Sequence, residues 1–243
     1  MRKFLFPFFY TLLFWISSIV SVHAQKQKSI IISPNSNARI KFGAERLSKA
    51  LTKIGYKVKI QNQQKLSVLK NAIVIGLAND KVYAQLPKSS KDKAIAAGKE
   101  GFSITEGKDK TIYVLGADAS GVLYGCLELI DQINAQQKIP TQIALTDHPE
   151  MVLRGTCIGL QKPDYLPGHD VYEYPYTPET FPWLYDKALW IKYLDMMVEN
   201  RYNSLYLWNG HPFSSLIRLK DYPYAVEVDE ATLKKNEEIF QFL

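Results

Sequence analysis

The chain has 243 residues, of which 47% are hydrophobic and 22% charged, a globular composition that excludes a disordered or low-complexity protein. The formal net charge is +6, but the lysines are scattered rather than arrayed in a stripe, so a nucleic-acid partner is not expected. A solvated basic surface accounts for that charge.

The N-terminus carries an export signature. Arg2 and Lys3 precede the apolar run FLFPFFYTLLFWISSIV, and Val22-His23-Ala24 fits a small-residue cleavage site before Gln25. The run is short for a membrane span and contains Pro7, Ser17 and Ser18. Residues 1–24 are therefore expected to be a cleaved signal peptide. The mature protein would be secreted or periplasmic, with no stable membrane insertion. Cys126 and Cys157 each sit in an apolar periodic segment, and both are expected to be buried, unpaired and inert. In an oxidising compartment a disulfide is the alternative.

In chain order, SIIIS at 29–33 reads as a buried strand. Ile40, Ala44, Leu47, Leu51 and Ile54 then recur at helical spacing, and Gly55 ends that helix. YKVKI alternates like a half-exposed strand, and AIVIGL at 72–77 is a second buried one. Residues 80–100 read as a loop with one short helix. GFSITEGKDKTIYVLGAD reads as a hairpin. Leu123, Leu127 and Ile130 share one helix face, with Gly121 and Gly125 permitting close packing on a sheet. TQIAL adds an edge strand. The sum is a small α/β sandwich over residues 25–149, with helices on one side of a mixed sheet.

Asp147 and Pro149 mark a boundary turn. Beyond it MVLRGTCIG reads as a strand, followed by a Pro- and Tyr-rich loop. A helix over 186–200, the strand NSLYLW and a helix from Asp229 come next. The order β, loop, α, β, loop, α is the repeating unit of a (β/α)8 barrel. A whole barrel needs about 250 residues, so residues 150–243 are expected to hold its first two units, as a truncated N-terminal part.

Gly116, Gly121 and Gly125 lie between a strand and a helix, but their spacing is not a dinucleotide or P-loop fingerprint. A tight turn with close helix packing is the better reading. Arg154 interrupts an apolar strand beside Gly155; it is either a substrate clamp or a structural ion pair at the barrel base. The loop at 160–183 carries Asp164, Tyr165, His169, Asp170 and several further tyrosines, side chains suited to a sugar's apolar face and hydroxyl rim. Packing of those tyrosines on the protein itself is the alternative. Trp208, Asn209 and His211 fall at the C-terminal end of a strand, where barrel enzymes keep binding groups. The histidines are too dispersed for a metal site, and neither metal nor cofactor is expected. No carboxylates pair as acid and base, so the catalytic residues stay unassigned.

EGFSITEGKDKTIYVLGADASGVLYGCLELIDQI resembles the α/β domain that precedes the catalytic barrel in β-N-acetylhexosaminidases of glycoside hydrolase family 20. A similar domain precedes the barrel of family 67 α-glucuronidases. DHPEMVLRG resembles the strand that opens the hexosaminidase barrel, and YLDMMVENRYNSLYLW its next helix and strand. The resemblance implies a glycoside hydrolase with a carbohydrate substrate. It also implies that Arg154 corresponds to the family's sugar-hydroxyl-binding arginine. The family's Asp-Glu acid pair lies later in its barrel than this sequence reaches. The expectation is the N-terminal portion of a secreted glycoside hydrolase that hydrolyses O-glycosyl bonds of polysaccharide-derived sugars, inactive by itself. A non-catalytic carbohydrate-binding or scaffold protein, or a non-functional truncation product, is the alternative.

Overall fold

A computed structural model describes residues 26–63, 70–107, 109–161, 163–165, 171–209, 215–225 and 227–243; of residues 163–165, 171–173, 209 and 225 it describes the backbone alone. The signal segment lies outside them. Two compact units divide between His148 and Pro149. Among the described residues no helix is long and apolar enough to cross a membrane.

The first unit runs β1 (Gln27–Ile32), α1 (Ala38–Lys53), β2 (Lys57–Asn62), β3 (Ala72–Leu77), α2 (Lys88–Ala96), β4 (Phe102–Glu106), β5 (Ile112–Gly116), α3 (Ala119–Gln136) and β6 (Ala144–Asp147). The sheet order is β2-β1-β3-β5-β4-β6. The first four strands in that order are parallel, while β4 runs antiparallel to both β5 and β6. Local chemistry sets the helix ends. Asn37 caps α1 by accepting from the Ile40 amide at 3.1 Å. Gly55, at φ 89°, ends it in a conformation that suits glycine. Asp118 caps α3 through the Gly121 amide, and its second oxygen accepts from the Glu100 amide at 2.8 Å.

The glycines before and within α3 are packing devices. A Cβ on Gly116 would stand 2.2 Å from the Val122 nitrogen, and one on Gly121 2.1 Å from the Gly101 carbonyl oxygen. A Cβ on Gly125 would press on Val114 at 2.8 Å. One expectation is corrected: helices cover both faces of the sheet. Val114 faces α3, whereas its neighbours Tyr113 and Leu115 join the core cluster that includes Ala94 of α2. Strand side chains alternate, so α2 and α3 lie on opposite faces.

The second unit runs β7 (Gly155–Leu160), β8 (Pro163–Tyr165), β9 (Val171–Glu173), α4 (Lys187–Glu199), β10 (Ser204–Asn209) and α5 (Glu230–Phe242). It contains two β/α units, β7 with α4 and β10 with α5, and the two long strands pair in parallel. Asp186 and Asp229 cap α4 and α5 through the amides of Leu189 and Thr232. The core is aromatic: Leu160, Tyr176, Phe181, Leu184, Trp190 and Ile239 are buried together. Trp190 satisfies its indole N–H on the Leu184 carbonyl at 2.8 Å.

Asn236, fully buried on α5, is the polar hub of that core. Its amide nitrogen donates to the Tyr176 carbonyl at 2.9 Å and the Ser215 carbonyl at 2.7 Å, while its oxygen accepts from the Tyr185 hydroxyl. Burial first, and the nearby Glu179 charge second, push the Tyr185 phenol up, so it stays a donor.

A clamp at the N-terminal end of the parallel pair fixes its register. The Arg154 amide donates to Asn203 Oδ1 at 3.0 Å, and Asn203 Nδ2 donates to the Val152 carbonyl at 2.9 Å. In return the Arg154 carbonyl accepts from the amides of Asn203 and Ser204 at 2.8 and 3.1 Å. Arg154 Nε donates to the Arg201 carbonyl at 2.9 Å, and one terminal nitrogen to the Met151 carbonyl at 2.6 Å. Gly155 lets the strands close: a Cβ there would lie 2.0 Å from the Ser204 carbonyl oxygen. Residues 151–154 precede the strand instead of extending it, and Met151, Val152 and Leu153 are exposed.

Gly155→Ala is expected to cost about 2 kcal/mol through this backbone collision. Hydrogen exchange should show faster amides in β10 with β3 unchanged; unchanged β10 protection would contradict the close approach. Asn236→Ala leaves two buried carbonyls and a phenol unpaired, and is expected to lower stability by about 2–3 kcal/mol in urea unfolding.

Candidate functional site

The register of β7 on β10 sorts their side chains into two faces. Thr156, Ile158 and Leu160 align with Leu205, Leu207 and Asn209. The first five point to the helices: Thr156 Oγ1 lies 2.6 Å from the Tyr193 hydroxyl on α4, and Ile158, Leu160, Leu205 and Leu207 join the aromatic core. The opposite face carries Gly155, Cys157 and Gly159 from β7 beside Ser204, Tyr206 and Trp208 from β10.

That opposite face is open. Tyr206 is 61% exposed and Trp208 55%. Gly159, in register with Trp208, has no atom within 4 Å of where a Cβ would stand. One strand therefore supplies two aromatic rings, and its neighbour supplies only small residues. The Trp208 ring stands at the C-terminal end of its strand, beside a backbone with no side chain to cover it.

The structure distributes the expected site residues unequally. Trp208 and the backbone of Asn209 sit together at the C-terminal ends of the strands. Asp164 and Tyr165 belong to the short strand β8, just after that end of β7; their backbone alone is described. His211, like His169 and Asp170, lies outside the described residues. Arg154 is not brought to this group. It precedes β7 at the opposite end of the pair, about 16 Å of strand from the level of Trp208. Two of its guanidinium nitrogens already donate to main-chain carbonyls. An ion pair at the barrel base was one reading of it; carbonyl bonds fill that place.

Two further residues depart from expectation. Cys126 is buried, and burial pushes its thiol well above the usual range, so it is inert as expected. Cys157 is exposed, because position 157 alternates onto the open face. Tyr206 was not singled out from the sequence. Its signal was two-residue spacing from Trp208 in a strand whose intervening Leu205 and Leu207 are core. Tyr176 takes the structural role: it is buried, and its hydroxyl donates to the Leu160 carbonyl at 3.3 Å.

Chemically, this face can hold a ligand. An exposed indole and phenol offer flat apolar surfaces with polar edges. None of the six residues on the face is an acid or a histidine, so the face itself supplies no proton transfer. Among the described residues no group of three or more His, Cys, Asp or Glu is placed to hold a metal ion.

The chain matches solved structures of glycoside hydrolases. It is similar to a GH138 enzyme targeting pectin rhamnogalacturonan II, at 50% identity and a TM-score of 0.70 over 89% of its residues, and it spans 29% of that chain. A GH115 4-O-methyl-α-glucuronidase with specificity for decorated arabinogalactans aligns at 15% identity and a TM-score of 0.52, covering 87% of this chain and 28% of that one. The protein CpGH84D aligns at 17% identity and a TM-score of 0.52, covering 89% and 39%. The latter two bear on the fold alone. No family model and no curated protein matches the chain. The resemblance drawn from sequence thus holds at the level of the glycoside hydrolase fold, and not for family 20 or family 67 in particular. The chain is an α/β protein of glycoside hydrolase type, spanning less than a third of the solved structure it matches at 50% identity.

Proposed function

We propose that the chain forms the substrate-holding part of a secreted glycoside hydrolase that cleaves O-glycosyl bonds in a pectic glycan. The observation that carries this reading is the 50% identity, over 89% of the chain, to an enzyme targeting pectin rhamnogalacturonan II. The open face of β7 and β10 supports it. Trp208 stacks on the C–H face of a sugar ring, and Tyr206 extends the same platform. Asn209 and His211 follow at the same strand end and hydrogen-bond the sugar's hydroxyls. Asp164 and Tyr165 approach from the segment after β7. Arg154 acts as a strut that aligns the strands.

In this reading the two units begin a barrel, and the open face lines its lumen. The catalytic carboxylates come from the remainder of the enzyme, since the face carries none. The chain alone then binds without turning over. Residues 1–24 direct it out of the cytoplasm, where plant polysaccharide is encountered.

The test is calorimetric titration of the full chain with rhamnogalacturonan II oligosaccharides. The wild type is expected to bind, and Trp208→Ala to weaken binding about tenfold, equivalent to about 1.4 kcal/mol. Arg154→Ala is expected to lower the melting temperature and leave affinity within about twofold. Equal affinity of wild type and Trp208→Ala would remove the platform from the account. Turnover of aryl glycosides by the chain alone would contradict placing the acids elsewhere.

A further inference from the structure

The first unit holds a cavity of about 580 Å³ between α2, the β4–β5 turn and the start of β6. That volume falls within the usual range for small-ligand pockets. The proposed glycan platform, on the second unit, makes no use of it.

Its most telling residue is Tyr113. The side chain is 93% buried by the measure that leaves it 7% exposed, yet its hydroxyl makes no hydrogen bond among the described residues. That hydroxyl sits at the cavity wall near Gly107 and Asp109. An unpaired polar group in a nearly buried side chain is costly, and a ligand hydroxyl would satisfy it. Burial first, then the Asp109 charge, push the phenol up, so it stays a donor at neutral pH.

The surrounding groups define the ligand class. Lys93 adds donors and Glu106 an acceptor, while Pro87 and Ile143 give apolar walls. The first turn of α2 begins at Pro87 with no side-chain cap, leaving further amide donors at this edge. The floor is already paired: Thr105 Oγ1 donates to Ser90 Oγ at 2.8 Å, and Ser103 Oγ to the Ser90 carbonyl at 2.9 Å. Asp109 accepts from the amide and hydroxyl of Thr111 at 3.2 and 3.0 Å. Two carboxylates against one ammonium disfavour an anion. A group that both donates to Glu106 and accepts from Tyr113 and Lys93 is an uncharged hydroxyl.

We propose that this cavity is a second saccharide site, on the α/β domain, that takes a neutral sugar ring and uses the Tyr113 hydroxyl and Glu106 as its polar anchors. The site stands independently of the Trp208 platform.

The test uses ligand-observed NMR titration of the full chain with the neutral methyl glycosides of galactose, rhamnose, arabinose and xylose, and with galacturonate. At least one neutral glycoside is expected to bind saturably and more tightly than galacturonate. Tyr113→Phe is expected to weaken it about tenfold, equivalent to about 1.4 kcal/mol. It should keep the wild-type melting temperature, because the lost hydroxyl has no internal partner. Gly107→Ala, whose Cβ would stand 3.0 Å from the Tyr113 ring and 3.1 Å from its hydroxyl, should also weaken binding by narrowing the cavity. Trp208→Ala should leave this binding unchanged. Absence of saturable binding by every neutral glycoside, preference for galacturonate, or full affinity in Tyr113→Phe would each overturn the proposal. Loss of this binding in Trp208→Ala would assign it to the other platform and overturn it as well.

Discussion

The reciprocal bonding of Arg154 and Asn203 is the constraint on which the second unit depends. Each residue both donates to and accepts from the other's strand-leading segment. A parallel pair has no tight turn to set its register, so a slip of one residue would exchange the two faces entirely. With the clamp in place, Gly155 meets Ser204, and each later pairing follows. Trp208 then falls beside Gly159 and faces away from the helices. One step of slip would drive Trp208 toward the core and Leu207 into the open. The binding surface at one end of the strands is thus decided by hydrogen bonds at the other.

What holds the opposite end is different in kind. The segment after β7 returns through a core of aromatic rings, among them Tyr176 and Phe181 at 5.4 Å in edge-to-face contact. Asn236 supplies the specificity that stacked rings lack, because its amide fits only one arrangement of the Tyr176 and Ser215 carbonyls. Tyr176 links the two systems by its bond to the Leu160 carbonyl at the end of β7. The segment carrying Asp164 and Tyr165 therefore departs from, and returns to, fixed points. In the first unit the same job falls to glycines, which let α3 approach the sheet to within contact of the backbone.

Much of this was legible in the sequence wherever the determinant is local. Asn37, Asp118, Asp186 and Asp229 cap helices whose periodicity is plain, and Gly55 ends one at positive φ. The α/β order and both β/α units followed from the same signals. Three features were not legible because they depend on distant partners. The helix KSSKDKAIA has little amphipathic contrast, and Ala94 shows its allegiance only against Tyr113 and Leu115 on the sheet's second face. Arg154 looked like a substrate clamp inside a strand; its carbonyl partners lie about fifty residues away, at Arg201 and Asn203. Cys157 looked buried because its neighbours are apolar, and only the strand alternation exposes it. The Tyr113 cavity left no sequence signal, since its walls come from three separate stretches.

The exposed thiol offers the most direct test of the central claim, that the face bearing Tyr206 and Trp208 is the glycan-binding wall. Cys157 lies on that face in register with Tyr206, whereas Cys126 is buried. The measurement is the alkylation rate of Cys157 in the full chain, with and without rhamnogalacturonan II oligosaccharides at saturation. The account predicts that one thiol reacts and that bound glycan slows it severalfold. An unchanged rate under saturation would show that the sugar binds elsewhere.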